Sequence, residues 1–258
     1  MKLSQPSGRL YLWPGAALVL SPGIDSSLHS HFALQLSYGL EKSFQARLAS
    51  DHAWTETRSA IFAPNRAHQI DSAGGMLAHL FIELPRNLQT DVTDLRAAFG
   101  SDAAFLSLAT VLADGLTTAA DMAAALSLRQ AWQACALPQS LTAPAYDSRI
   151  TVALSQIAKA SGLDYDGASL AKQVHLSESR FTHLFRQQTG MSLSRYLLWS
   201  RILSAVAAVG QGNNMTTAAH QAGFADLAHM SRTFRNMMGV PPSELHKMAI
   251  AFKQDVMG

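Results

Sequence analysis

A chain of 258 residues, 48% apolar and 15% charged, has ample material for a core and is not composed like a disordered tail or a fibrous repeat. One cysteine, Cys135, excludes an internal disulfide framework and suits a reducing compartment. The net charge of +2 hides an asymmetry: 9 Lys and Arg face 11 Asp and Glu before Asp147, and 11 face 7 from there on, so the chain passes from −2 to +4 and its C-terminal part suits an anionic partner.

Lys2 and Arg9 precede an apolar run that Pro14 interrupts, so the N-terminus reads as neither a signal peptide nor a membrane span. A cytoplasmic protein with no membrane partner is expected. Residues 10–85 then hold short apolar or alternating runs ("ALVLSP", "FALQLSYG", "SFQARLA", "SAIFAP", "LAHLFIELP") punctuated by Gly, Pro, Asn and Asp, the pattern of a β-sandwich or barrel. Trp54 is expected in its core, while His52 and His79 have no motif around them. Residues 88–136 are rich in Ala and Leu at helical spacing, as in "AAFLSLATVLADGL" and "TAADMAAALSLRQAWQACA". "LPQSLTAPAYDS" (137–148), with Pro138 and Pro144, reads as a linker. From Ile150 onward the pattern is helical, broken by short turns. The fold class expected is α+β, with a β-domain over 1–86, a helical segment over 87–136, the linker, and an all-α domain over 149–258.

The last third contains an internal repeat. Phe181 pairs with Met230, Phe185 with Phe234, Arg186 with Arg235 and Gly190 with Gly239, all 49 apart, while Ala171 pairs with Ala219 and Leu176 with Phe224, 48 apart. The second copy therefore has one more residue in its turn. Each copy reads as a short helix, a tight turn and a second helix with a polar outer face. Ser177 and Asp226 are equivalent N-cap candidates, and Gly190 and Gly239 are equivalent stops. In the second copy Leu227, Met230, Phe234 and Met237 form an apolar stripe, with Ala228, Ser231, Arg232 and Arg235 on the other side. Between the copies, Leu193 to Gly210 reads as one helix of about 18 residues and ~27 Å. Adjacent major-groove faces recur every ~34 Å, so two reading helices on this connector suit successive grooves of one duplex.

"AHQAGFADLAHMSRTFRNMMGVPPSEL" and "LSESRFTHLFRQQTGMSLSRYL" resemble the two motifs of the AraC/XylS family DNA-binding domain, over residues 150–247. One departure is Met230, where an aromatic or leucine is more usual. The resemblance implies a transcription regulator whose partner is double-stranded DNA, with RNA polymerase and a small-molecule effector as further partners. Its base-reading positions fall on Ser179, Arg180, Thr182 and His183 in the first motif and on Leu227, Ala228, His229 and Arg232 in the second. Arginine can read guanine bidentately, and Ala228 and Leu227 can meet only a thymine methyl. Arg186 and Arg235 lie later on their helices and suit phosphate. The Ala-rich faces around 104–134 either form a homodimer interface or cover the β-domain.

In the first half, "GIDSSLHSH" places His29 and His31 two apart, with Gln35 four beyond, and "APNRAHQI" adds His68. Strand alternation puts His29 and His31 on one face. The set resembles the half-motifs of a cupin barrel, without the second motif's usual Gly and with Gln35 in place of Glu. It implies that His29, His31, Gln35 and His68 hold a divalent metal or line an effector pocket. Two functions compete: a regulator whose β-domain senses a small ligand or metal, and a metal-dependent cupin enzyme with an accessory DNA-binding domain. Without the Glu, the sensor, with no catalytic residue, is the leading reading.

Overall fold

The computed structural model of the chain describes residues 8–23, 25–49, 53–84, 122–136, 146–159 and 165–252. The helices expected over 88–121, the linker over 137–145, and His52 lie outside these residues.

Strands β1 (Gly8–Trp13) and β2 (Ala16–Pro22) form a hairpin around Pro14-Gly15, where Gly15 has φ 66°, a left-handed conformation glycine adopts without a Cβ clash. With β3 (Leu34–Gly39), β6 (Ser59–Phe62) and β8 (Met76–Ile82) they build a sheet in the order β6-β3-β8-β2-β1. A second, three-stranded sheet is ordered β5-β4-β7, from β4 (Phe44–Arg47), β5 (Thr55–Thr57) and β7 (Gln69–Asp71). Phe44, Ala46, Phe62, Ile70 and Leu77 form the core that binds the sheets together. The expected barrel is an open pair of sheets among the described residues, linked by the isolated His29–His68 bridge.

Alternation in the large sheet does not separate core from solvent. It separates two cores. Tyr11, Trp13, Leu18, Leu20, Leu80 and Ile82 pack against Ala125, Leu128 and Trp132 of helix α1 (Met122–Ala136). This stretch of the Ala-rich segment therefore covers the sheet. The opposite face, with Leu10, Leu12, Ala17, Val19 and Phe81, packs against the C-terminal helices. Trp54, expected in the core, is 40% exposed with the Arg47 guanidinium 4.5 Å above its ring. It precedes the short edge strand β5, whose residues are exposed or half-buried, so no second layer covers it.

The C-terminal part runs α2 (Ser148–Lys159), α3 (Gly167–Gln173), α4 (Glu178–Thr189), α5 (Leu193–Gly210), α6 (Met215–Gln221), α7 (Leu227–Met238) and a 3-10 turn over Pro242–Lys247. The helical expectation fails at its end. Residues Met248–Phe252 form strand β9, parallel to β1 in the register Gly8 with Met248 through Leu12 with Phe252. "MAIAF" is short enough to be either element, and the open edge of β1 decides it by offering ladder hydrogen bonds. The chain thus leaves the β-domain, builds the helices, and returns to extend the first sheet.

Candidate nucleic-acid interface and effector site

The second helix of each copy is set by its caps. Ser177 Oγ accepts the Arg180 N–H at 3.4 Å and Asp226 Oδ1 accepts the His229 N–H at 2.6 Å, satisfying donors that a first turn leaves free. Gly190 (φ 79°) and Gly239 (φ 73°) end α4 and α7 in the left-handed conformation. The turns match as well: His175 (φ 56°) takes the left-handed place that Gly223 (φ 77°) holds 48 residues later. Phe181 and Phe185 are buried under α4, and Met230, Phe234 and Met237 under α7. Met230, the departure from the family pattern, is 1% exposed and packs with the rest.

The outer faces remain in solvent. Ser179, Arg180, His183 and Arg186 are exposed on α4, as are Ala228, Arg232 and Arg235 on α7. Among the described residues no carboxylate pairs with Arg180, Arg186, Arg232 or Arg235. Thr182, half-buried, donates its hydroxyl to the Glu178 and Ser179 carbonyls. Leu227 is half-buried, and the His229 ring stands edge-on to Phe224 at 5.3 Å, which fixes its direction. The connector α5 spans 18 residues. Its Trp199 is buried, and its Nε1–H donates at 2.7 Å to Glu83 Oε1 of the β-domain, while the Tyr196 hydroxyl donates to Glu83 Oε2 at 3.3 Å. Burial raises the Glu83 carboxyl above its ordinary range, against these two hydrogen bonds.

The structure brings His29, His31, Gln35 and His68 together in the β-domain. One ring nitrogen from each histidine lies within 4.8 Å of the others, and all four side chains are buried. Nδ1 of His29, His31 and His68 faces the carbonyls of Ser27, Ala33 and Arg66 at 2.8, 2.9 and 2.9 Å. A carbonyl only accepts, so each Nδ1 carries the proton and each Nε2 keeps its lone pair. Burial, reinforced by the neighbouring imidazoles, holds His31 at about 4 and His68 well below 6.5, and burial likewise lowers His29. Gln35 Oε1 lies 2.7 Å from His31 Nε2 and 3.1 Å from His68 Nε2. Three acceptors meet there. The arrangement calls for a shared cation or proton, or for a half-turn of the amide that presents its NH2 to the rings. Three neutral imidazoles whose Nδ1–H groups are anchored, beside an amide oxygen, form a donor set that suits a divalent transition metal.

His79 joins this group, although nothing around it in the sequence marks it. Its Nδ1 lies 2.9 Å from Ser37 Oγ and 3.3 Å from Gln35 Nε2, and burial holds its ring at about 4. The signal was available only through pairing, since β3 and β8 are neighbours and Ser37 is opposite His79. A cavity of about 110 Å³ opens beside the cluster. Gln35, His29 and His79 form its polar end, Leu10, Val19 and Phe81 its floor, and Val206, Phe234 and Met238 of the helical domain its roof.

A family profile described as a helix-turn-helix domain matches residues 170–248. Over 103 residues the chain is 36% identical to the arabinose operon regulatory protein of Salmonella typhimurium and 35% identical to that of Escherichia coli, 39% of this chain in each case. These alignments cover 37% and 35% of the two regulators, so the chain spans little more than a third of the curated relatives it matches. Similarity to ToxT from Vibrio cholerae O395 extends over 93% of this chain and 97% of that one, with a TM-score of 0.57 at 10% identity, a likeness of fold. No helix among the described residues is long and apolar enough to cross a membrane.

Proposed function

We propose that the C-terminal part of this chain is an AraC-type helix-turn-helix domain, and that the protein is a sequence-specific DNA-binding transcription regulator with a ligand-sensing β-domain. The observation that carries the proposal is the repeat: two capped helices, one at each end of an 18-residue connector, both turning arginines without acidic partners to solvent. In this reading Arg180 and Arg232 contact base edges in the major groove, with Ser179, Thr182, His183, Leu227, Ala228 and His229 around them. Arg186 and Arg235 neutralise phosphate. The effector site is the cavity with its histidine end, because its walls come from both domains and a molecule there touches the back of α7. A ligand that favours one domain arrangement over another shifts DNA affinity by its differential binding.

The donor set at His29, His31, Gln35 and His68 favours a second occupant, a divalent transition metal, with or without the organic effector. The role is sensing rather than catalysis. The cluster joins histidines, Gln35 and Ser37, and the carboxylate that lines the adjoining cavity, Glu244, is paired with Lys247 at 2.8 Å. The reading is tested by selecting duplexes from a random pool with the purified full chain. A recovered consensus that out-competes random DNA supports it, and uniform retention of all sequences overturns it.

A further inference from the structure

The peptide that ends the second recognition helix is held by the segment that carries the histidine cluster. Gly239, the left-handed cap of α7, is buried, and its carbonyl accepts the Ser27 N–H at 2.7 Å and the Ser27 hydroxyl at 2.9 Å. The Ser27 carbonyl in turn accepts Nδ1–H of His29 at 2.8 Å. The His29 ring lies flush against Gly239: a Cβ there would sit 2.8 Å from both ring Cγ and ring Cε1. Glycine is therefore needed at 239 twice over, for its positive φ and for this close approach.

His29 is the least anchored member of the triad. The rings of His31 and His68 reach the Gln35 amide through Nε2, whereas the His29 ring has only its Nδ1 bond to Ser27 among the described residues. One nitrogen of this buried ring lies within 4.8 Å of its counterparts on His31 and His68, and the ring also forms part of the seat for the helix cap.

We propose that a divalent transition-metal ion held by His29, His31 and His68 regulates DNA binding through His29, Ser27 and Gly239, and that metal loading tightens DNA binding. The proposal rests on the DNA-binding reading above. Coordination at Nε2 fixes the ring and requires Nδ1–H to point at the Ser27 carbonyl, which holds Ser27 in place to cap Gly239. Ala228 and Arg232 of α7 stay exposed in this docked arrangement and Leu227 and His229 half-buried, so docking does not mask the reading face. It removes freedom of the second motif that DNA would otherwise have to remove, and the coupling is positive. By reciprocity DNA raises metal affinity by the same factor.

The test uses the full chain, Zn2+ as the probe, and a duplex recovered by selection. Fluorescence anisotropy gives the DNA dissociation constant in Zn2+ and in chelator, and calorimetry gives Zn2+ affinity. Wild type is expected to bind DNA roughly tenfold tighter in Zn2+, within the usual range of coupling between sites. His31→Ala is expected to lose the Zn2+ effect. Ser27→Ala, which keeps every metal ligand and every reading residue, is expected to bind Zn2+ as wild type does while the tenfold ratio shrinks. Absence of Zn2+ binding, Zn2+ binding with no change in DNA affinity, or an unchanged ratio in Ser27→Ala each overturns the proposal and leaves the regulator reading standing. Failure to prefer any sequence in either buffer overturns the regulator reading itself.

Discussion

Acid should destabilise this fold at the histidine cluster well before carboxylates titrate. His31 and His79 are held at about 4 by burial, against 6.5 for an exposed imidazole. Between these values the unfolded chain binds a proton at each position and the folded chain does not. Unfolding then takes up about two protons, and stability falls as pH drops through this window. The stabilisation is complete above pH 6.5 and lost towards 4. Each group contributes up to about 1.4 kcal/mol per pH unit, less near pH 6.5 where the unfolded imidazole is half protonated, so the pair removes about 3 kcal/mol between pH 6.5 and 5. Typical domains hold only 5–15 kcal/mol, so this is a large share. His29 and His68, lowered by the same burial, add to the loss. Glu83 acts in the opposite direction, since its raised carboxyl takes up a proton in the folded chain and softens the fall at the low end. Thermal melts followed by circular dichroism in chelator, at pH 7 and pH 5, should differ by roughly 10 °C. A midpoint that stays level over this range would refute the buried neutral cluster.

Arg232→Ala should cost roughly 1–3 kcal/mol on the selected duplex and relax the preference at one base pair, whereas Arg235→Ala should weaken all sequences alike and lower the salt slope by about 1, as anisotropy titrations on matched and mismatched duplexes at several salt concentrations would show. Trp199→Phe keeps an aromatic ring, though a smaller one, and leaves Glu83 Oε1 without its 2.7 Å donor, so chemical denaturation should register a loss of about 1–3 kcal/mol or more, and a loss near zero would mean that water replaces the bond. A fragment beginning near Ala145 should keep its helices by circular dichroism but expose Ile202, Val206, Phe234 and Met238, which line the cavity against the sheet, and so bind a hydrophobic dye or self-associate. A monodisperse, dye-silent fragment would contradict the shared core.

What was legible in the sequence is what neighbouring residues decide. The caps at Ser177 and Asp226, the stops at Gly190 and Gly239 and the stripe through Met230 and Phe234 act within a turn or two, so spacing revealed them. His29, His31, Gln35 and His68 were readable through a resemblance, and the structure brings them into one cluster. The joins between the halves were not. Glu83 meets Trp199 across 116 residues and Ser27 meets Gly239 across 212, and neither pair carries a local pattern. The same holds for β9, whose state depends on a vacant edge almost the whole chain away, and for His79, which enters the cluster through strand pairing. Even the alternation of β1 and β2 was half-informative. It marks two faces, but both are covered, one by α1 and one by the helical domain.

On the proposed function, the two matched helices on one connector engage a single duplex. Hydroxyl-radical footprinting of the full chain on a selected duplex tests it most directly, with Arg180→Ala and Arg232→Ala run beside the wild type. Two protected patches on one face of the DNA, about one helical turn (~34 Å) apart, are expected, with each variant weakening a different patch. A single patch, or two patches that fade together whichever arginine is removed, would contradict it.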